Sequence, residues 1–189
     1  MTEYVKTIRI PERVFLTAKE LNGKDIMNTL TRKLRADFEG RCIKAGYVMP
    51  DSTEIISRTL GLINNANFTS TIMFDVIFKT QVCNPGIGAE LKCYVAEANK
   101  TQILAYIDNL TCTPMEIYLL KSHHVGNTDF TKLEDSNSGI SNMGISSTSK
   151  STSAITKKKK TKILVKILAS NFNFKDTQII AVAQLVKIL

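Results

Sequence analysis

Between Phe68 and Val82 the chain alternates residue by residue. Phe68, Ser70, Ile72, Phe74, Val76, Phe78, Thr80 and Val82 are mostly apolar, while Thr69, Thr71, Asp75, Lys79 and Gln81 between them are mostly polar. A period of two is the mark of a strand with one buried face. Fifteen residues at this rise reach about 50 Å, well beyond the usual strand. The pattern therefore predicts a strand that either bends or leaves one domain and enters another. Asn84-Pro85-Gly86 supplies the residues of a turn, and Gly88 precedes a new strand pattern. The whole stretch reads as the hinge-strand of a two-domain protein.

Ahead of it, Tyr4 to Ile10 predicts a first strand ended by Pro11, followed by a short apolar patch, Val14-Phe15-Leu16. Asn22-Gly23 breaks the pattern, and Asn22 or Asp25 can cap a helix. Ile26, Leu30, Leu34 and Phe38 then recur every fourth residue, the apolar stripe of an amphipathic helix that Gly40 ends. Arg32, Lys33 and Arg35 lie off the stripe, and cations late in a helix suit its negative end without any ligand. Cys42–Met49 and Thr53–Thr59 predict two strands around Pro50-Asp51, and 61–67 a loop. Residues 1–82 thus predict an α+β domain, an antiparallel sheet with one amphipathic helix.

Beyond the turn the pattern is all strand. Ala89–Ala98, Gln102–Asp108, Met115–Leu120, Lys162–Ser170 and Thr177–Ile188 are strand candidates, with Asn99-Lys100-Thr101 and Asn171–Asp176 as turns and Ser122–Leu133 as loop or short helix. Five short strands over residues 83–189 fit an all-β five-stranded Greek-key barrel such as the OB fold. Ser136–Thr161 interrupts them with a Ser/Thr/Asn/Gly-rich run that ends in lysines. It has too few apolar residues to offset the entropy of ordering, so it predicts a disordered insertion between the third and fourth barrel strands.

Charge sharpens this picture. The net charge of +8 is not spread evenly. From Ser136 to Lys175 there are eight lysines and no acid, which leaves 17 basic residues against 17 acidic ones elsewhere. A basic segment on a neutral body points to contact with a polyanion. Apolar runs stay short of the ~18 residues a membrane span needs, and the N-terminus has no apolar signal core, so neither a membrane nor secretion is expected. Cys42, Cys83, Cys93 and Cys112 lack metal-type spacing, so reduced thiols are expected, with no metal and no cofactor. Gly23-Lys24 is no phosphate loop, since Ala18 stands where the first glycine belongs. Adjacent His123 and His124 have no nucleophile or carboxylate in a motif-type relation, and they read as surface residues. No catalytic residue is assigned.

Binding chemistry is better represented. Lys92 and Tyr94 share a face of the first barrel strand, Tyr106 lies in the second and Tyr118 in the third, with Lys100 and Lys121 at strand ends. Aromatic faces and cations on the middle strands of such a barrel hold single-stranded nucleic acid. The other reading makes these tyrosines ordinary barrel packing. Lys157, Lys158, Lys159 and Lys160 form a further candidate RNA contact, or else a solvated run or a nuclear localisation signal.

The order of segments resembles a known family. NGKDIMNTLTRKLRADFEGRC, FKTQVCNPGIGAELKCYV, EANKTQILAYI and TKILVKILASNFNFKDTQIIAVAQL are similar, in that order, to the stalk subunit of multisubunit DNA-directed RNA polymerases. That subunit is the seventh of eukaryotic polymerase II, and the archaeal polymerase has its counterpart. Gln102 replaces the family's glycine before the second barrel strand, and Ala89 separates Gly88 from Glu90 in its turn. The abundance of Ile, Lys and Asn is the bias an AT-rich genome would give, and the chain resembles versions of the subunit from large nucleocytoplasmic DNA viruses. The resemblance implies a non-catalytic protein of transcription that docks on the large polymerase subunits near the RNA exit channel. It implies binding of nascent RNA, and a small helical partner of the subunit-four type. It also implies docking through a tip loop, here Leu60, Gly61, Leu62, Ile63, Asn64 and Phe68. Its location would be intracellular: the nucleus or, for a virus, a cytoplasmic factory and the virion. Two alternatives stand beside it. One is a free-standing OB-fold RNA-binding protein of translation-factor type, and the other a docking subunit with a vestigial barrel.

Overall fold

The computed structural model describes residues 4–21, 25–64, 71–107, 112–138 and 161–189. Phe68 and Lys157–Lys160 lie outside them, as does nearly all of the expected insertion. By compactness the chain divides into two units. One runs through Pro85 and takes in Phe172–Ile179, and the other holds Gly86–Asn171 and Ile180–Leu189.

The first unit is an antiparallel sheet with a helix on one face. Its axis is β6, Thr71–Cys83, the alternating stretch. Phe74, Val76, Phe78, Thr80 and Val82 are buried and Asp75, Ile77 and Gln81 exposed, as the period of two requires. The strand does not cross into the second unit. Its 13 residues, about 43 Å of chain, are used within the sheet. Along one edge it pairs with all of β1, Val5–Thr17. Along the other it pairs in relay with β5 (Leu62–Asn64), β4 (Glu54–Arg58) and β3 (Gly46–Val48).

Three local expectations are corrected here. Pro11 does not end the first strand, because among the described residues β1 pairs with β6 alone and lies at the sheet edge, where alternate N–H groups have no ladder partner to lose. Cys42–Met49 is a hairpin of β2 (Cys42–Ile43) and β3 rather than one strand. Gly46 makes that turn possible at φ 131°, where a Cβ would lie 2.6 Å from the Cys83 carbonyl oxygen. Part of the expected 61–67 loop is β5.

The helix α2, Ile26–Phe38, starts where Asp25 accepts the Met27 N–H at 2.9 Å. A single turn, α1 (Ala18–Leu21), precedes it. Leu30 and Leu34 pack on Val14, Leu16, Phe74, Val76 and Phe78, with Ile26 and Phe38 at the margin of this core. The Phe38 and Phe78 rings are 5.2 Å apart. Past the helix end the Glu39 carboxylate accepts the N–H groups of Asp51 and Thr53 at 3.0 and 2.9 Å, which ties the helix to the turn before β4.

The second unit is a closed barrel of β7 (Glu90–Ala98), β8 (Gln102–Ile107), β9 (Met115–Leu120), β10 (Lys162–Asn171) and β11 (Ile179–Ile188), in the order β10-β11-β9-β8-β7. The pairings β7–β8, β8–β9, β7–β10 and β10–β11 are antiparallel. An odd ring cannot alternate throughout, so neighbours β9 and β11 run parallel. A parallel pair needs a crossover, and this one includes α3, Thr128–Ser138, as well as β10. Residues 136–138, expected to open the insertion, are the last residues of that helix.

His124 corrects another expectation. It is buried rather than a surface residue. One ring nitrogen, Nδ1, lies 2.7 Å from the Leu120 carbonyl oxygen, while Nε2 accepts the Leu185 N–H at 2.7 Å. The ring stacks at 4.7 Å on Phe130, a buried residue of α3. It therefore links the end of β9, strand β11 and the helix. Cys42, Cys83 and Cys93 are buried thiols and Cys112 is half-buried.

Candidate nucleic-acid interface

Alternation along β7, β8 and β9 sends Leu91, Cys93, Val95, Ile103, Ala105, Ile107, Met115, Ile117 and Leu119 into the barrel. The residues between them face outward, and cross-strand register sets them in rows. The fullest row is Lys162, Tyr94, Tyr106 and Glu116, one residue from each of four neighbouring strands. The next is Glu97, Leu104 and Tyr118, and beyond it Gln102 stands opposite Leu120. Tyr94, Tyr106, Tyr118 and Leu104 are all half-buried. The rings of Tyr94 and Tyr106 are 6.0 Å apart and tilted by 49°, within the range of favourable aromatic pairs.

The phenols are polarised by their neighbours. The Tyr118 hydroxyl donates to Glu116 Oε2 at 2.9 Å. That bond, then partial burial, raises the Tyr118 pKa above its ordinary value. Partial burial first, then the charges of Glu116 and Glu97, do the same for Tyr106. Both phenols stay neutral at physiological pH. They offer flat π surfaces with a carboxylate beside them.

The lysines expected in this site are exposed at its margins. Lys92 is two residues before Tyr94 on β7. Lys100 is in the β7–β8 turn, closed by the Asn99 N–H on the Gln102 carbonyl at 2.8 Å. Lys121 donates its backbone N–H to the Thr101 carbonyl at 3.0 Å, so it lies at the same end of the face as that turn. The structure thus gathers Tyr94, Tyr106 and Tyr118 on one surface, with Lys100 and Lys121 along one border and Lys92 near another. Sequence reasoning missed Glu116, Leu104 and Lys162. Glu116 was accessible in principle, being two residues before Tyr118 on the same strand. Lys162 was not, because only the closure of the barrel brings β10 beside β7.

In the first unit the expected docking loop is an apolar exposed segment. Leu60 is 85% exposed, Ile63 71% and Leu62 57%. Gly61 lies flush on the sheet, where a Cβ would come within 2.5 Å of Ile72 and 2.8 Å of Phe74. Asn64 ends β5, opposite Thr71. Leu62, Met73 and Phe15 form one outward row across β5, β6 and β1. The following row on β6 and β1 is the Arg13–Asp75 ion pair at 2.8 Å. A contiguous apolar patch left open in this way is a common mark of a contact surface.

Among the described residues no cluster of His, Cys, Asp and Glu can hold a metal ion. Among the same residues no helix is long and apolar enough to cross a membrane. No protein-family model matches the chain, and no curated protein matches it in sequence.

Proposed function

We propose that this protein binds single-stranded RNA on the outer face of an OB-type barrel, as a non-catalytic stalk subunit of a DNA-directed RNA polymerase. The observation that carries the binding is the row Lys162–Tyr94–Tyr106–Glu116 with Leu104 and Tyr118 beside it. Stacking on exposed aromatic rings is worth about 1–3 kcal/mol per base and tolerates any sequence, because every base has a π face. The OB reading is supported by the strand order, with β8 and β9 as the middle strands and the parallel closure between β9 and β11. Polymerase docking is supported by the exposed apolar segment Leu60–Ile63 and by the resemblance in sequence.

Two measurements test it. Fluorescence anisotropy with a labelled single-stranded RNA should give salt-dependent binding that Tyr106→Ala weakens roughly fivefold to a hundredfold. Binding unchanged in that variant would return the tyrosines to barrel packing. Affinity purification from the native source should recover large polymerase subunits. Recovery of ribosomal subunits instead would favour a free-standing translation factor.

A further inference from the structure

The RNA face holds a carboxylate where a purely electrostatic site would have none. Glu116 stands directly opposite Tyr106 in register and two residues before Tyr118, on the same outward surface. Its Oε2 accepts the Tyr118 hydroxyl at 2.9 Å, which limits the rotation of the carboxylate. Oε1 has no hydrogen bond among the described residues.

From this geometry we infer that Glu116 is a base-selecting residue, and that the face takes guanine in preference to uracil. The inference rests on the RNA reading above. An ionised carboxylate only accepts hydrogen bonds, and its two oxygens have about four lone-pair sites between them. The bond from Tyr118 uses one and leaves three. It repels phosphates, and of the donors RNA offers it, ribose 2′-hydroxyls and base N–H groups, only the base N–H groups tell one base from another. Bases stacked on Tyr94, Tyr106 or Tyr118 bring their edges beside it.

The four bases differ at that edge. Guanine presents N1–H and N2–H side by side, two parallel donors that match the two carboxylate oxygens. Adenine and cytosine each offer one amino group. Uracil offers a single N–H flanked by two carbonyl oxygens, which the carboxylate repels. The expected order is guanine first, adenine and cytosine together, uracil last. A single well-made pair of this kind is worth about tenfold in discrimination at a half-exposed site.

The competing role for Glu116 is merely to hold Tyr118 in place. Glu116→Gln separates the two, because its amide oxygen can still accept the Tyr118 hydroxyl but its amide nitrogen cannot accept from guanine. The experiment compares eight-nucleotide labelled RNAs by anisotropy at one salt concentration: oligo-uridine, oligo-cytidine, oligo-adenosine, and oligo-uridine with two separated guanines. The full-length protein should bind the guanine-containing strand about tenfold more tightly than oligo-uridine. Glu116→Gln, with its near-ultraviolet circular dichroism unchanged, should bring that ratio close to one. Binding of all four RNAs within about twofold of each other would overturn base selection and leave RNA binding standing. So would a Gln variant that keeps the wild-type ratio. If none of the RNAs binds, the RNA reading fails and base selection with it.

Discussion

Replacing His124 by phenylalanine separates its two roles in the barrel. Phenylalanine keeps a ring to stack on Phe130, 4.7 Å away in the native protein. It removes both hydrogen bonds, to the Leu120 carbonyl and from the Leu185 N–H, each 2.7 Å long. The two losses are unequal. The Leu120 carbonyl gives up about 1 kcal/mol of net hydrogen bond. The Leu185 N–H is buried, and without an acceptor it incurs a desolvation penalty of about 1–3 kcal/mol. His124→Phe should therefore cost about 2–4 kcal/mol. With an m-value of about 2 kcal/mol per molar urea, that lowers the midpoint of barrel unfolding by about 1–2 M. Because the chain has two compact units, the reading should be local as well as global. Amide hydrogen exchange supplies it: Leu185 should be among the slowly exchanging amides of the native protein and should lose most of its protection in the variant. A midpoint within about 0.2 M of wild type, with the Leu185 amide still protected, would refute the account of His124 as a link between β9 and β11.

The remaining predictions concern other links. Gly46→Ala forces a side chain into a left-handed position with its Cβ 2.6 Å from a backbone oxygen, and should cost at least about 1–3 kcal/mol in a urea melt; a neutral result would mean that the β2–β3 turn is free to rearrange. Cys42 is buried, and burial, then the charge of Asp176, push its thiol up to about 11. A raised folded-state pKa gives stability that is complete below the unfolded thiol's pKa and is lost as pH rises towards 11. Alkaline unfolding should therefore be steeper between about pH 9 and 11 in the wild type than in Cys42→Ala, and equal slopes would contradict the burial argument. Tyr118→Phe removes the hydroxyl bound to Glu116 but keeps the ring. If stacking is the role of that ring, RNA affinity measured by anisotropy should stay within about twofold, whereas a loss as large as that of Tyr118→Ala would assign the role to the hydroxyl.

Most of the fold was legible because its signals are local. The alternation in β6, the stripe Ile26-Leu30-Leu34-Phe38 and the Asp25 cap each lie within a few turns or pleats of chain. What was not legible depends on partners distant in sequence. Pro11 is a strand breaker unless the strand lies at an edge, and edge position is a property of the sheet. Period-two counting also fails within β7. A bulge between Val95 and Glu97 shifts the register, so Ala98 is buried although strict alternation from Tyr94 would send it outward. The three tyrosines could be proposed from their strands, but their assembly into one surface needed the register of two pairings, β7 with β8 and β8 with β9. His124 was misread for a similar reason: the N–H that its Nε2 accepts belongs to Leu185, on a strand far along the chain.

The distribution of charge leads to a prediction that joins the two parts of the RNA reading. The tyrosine face is not strongly cationic, since Glu116 and Glu97 lie within it, whereas the excess of lysine is concentrated between Ser136 and Lys175. Salt-dependent and base-dependent binding should then reside in different residues. Each phosphate neutralised on a single strand contributes about 0.7 to the slope of log affinity against log salt. Replacing Lys157–Lys160 by serine should flatten that slope by about 3 if all four contact the strand, with the order of preference among bases unchanged. Tyr94→Ala should do the reverse, lowering affinity by a similar factor at every salt concentration with the slope intact. Titrations of both variants at three or more ionic strengths decide the matter. A flattened slope in Tyr94→Ala, or an intact one in the serine variant, would mean that the phosphates are held at the barrel and that the lysine run takes no part.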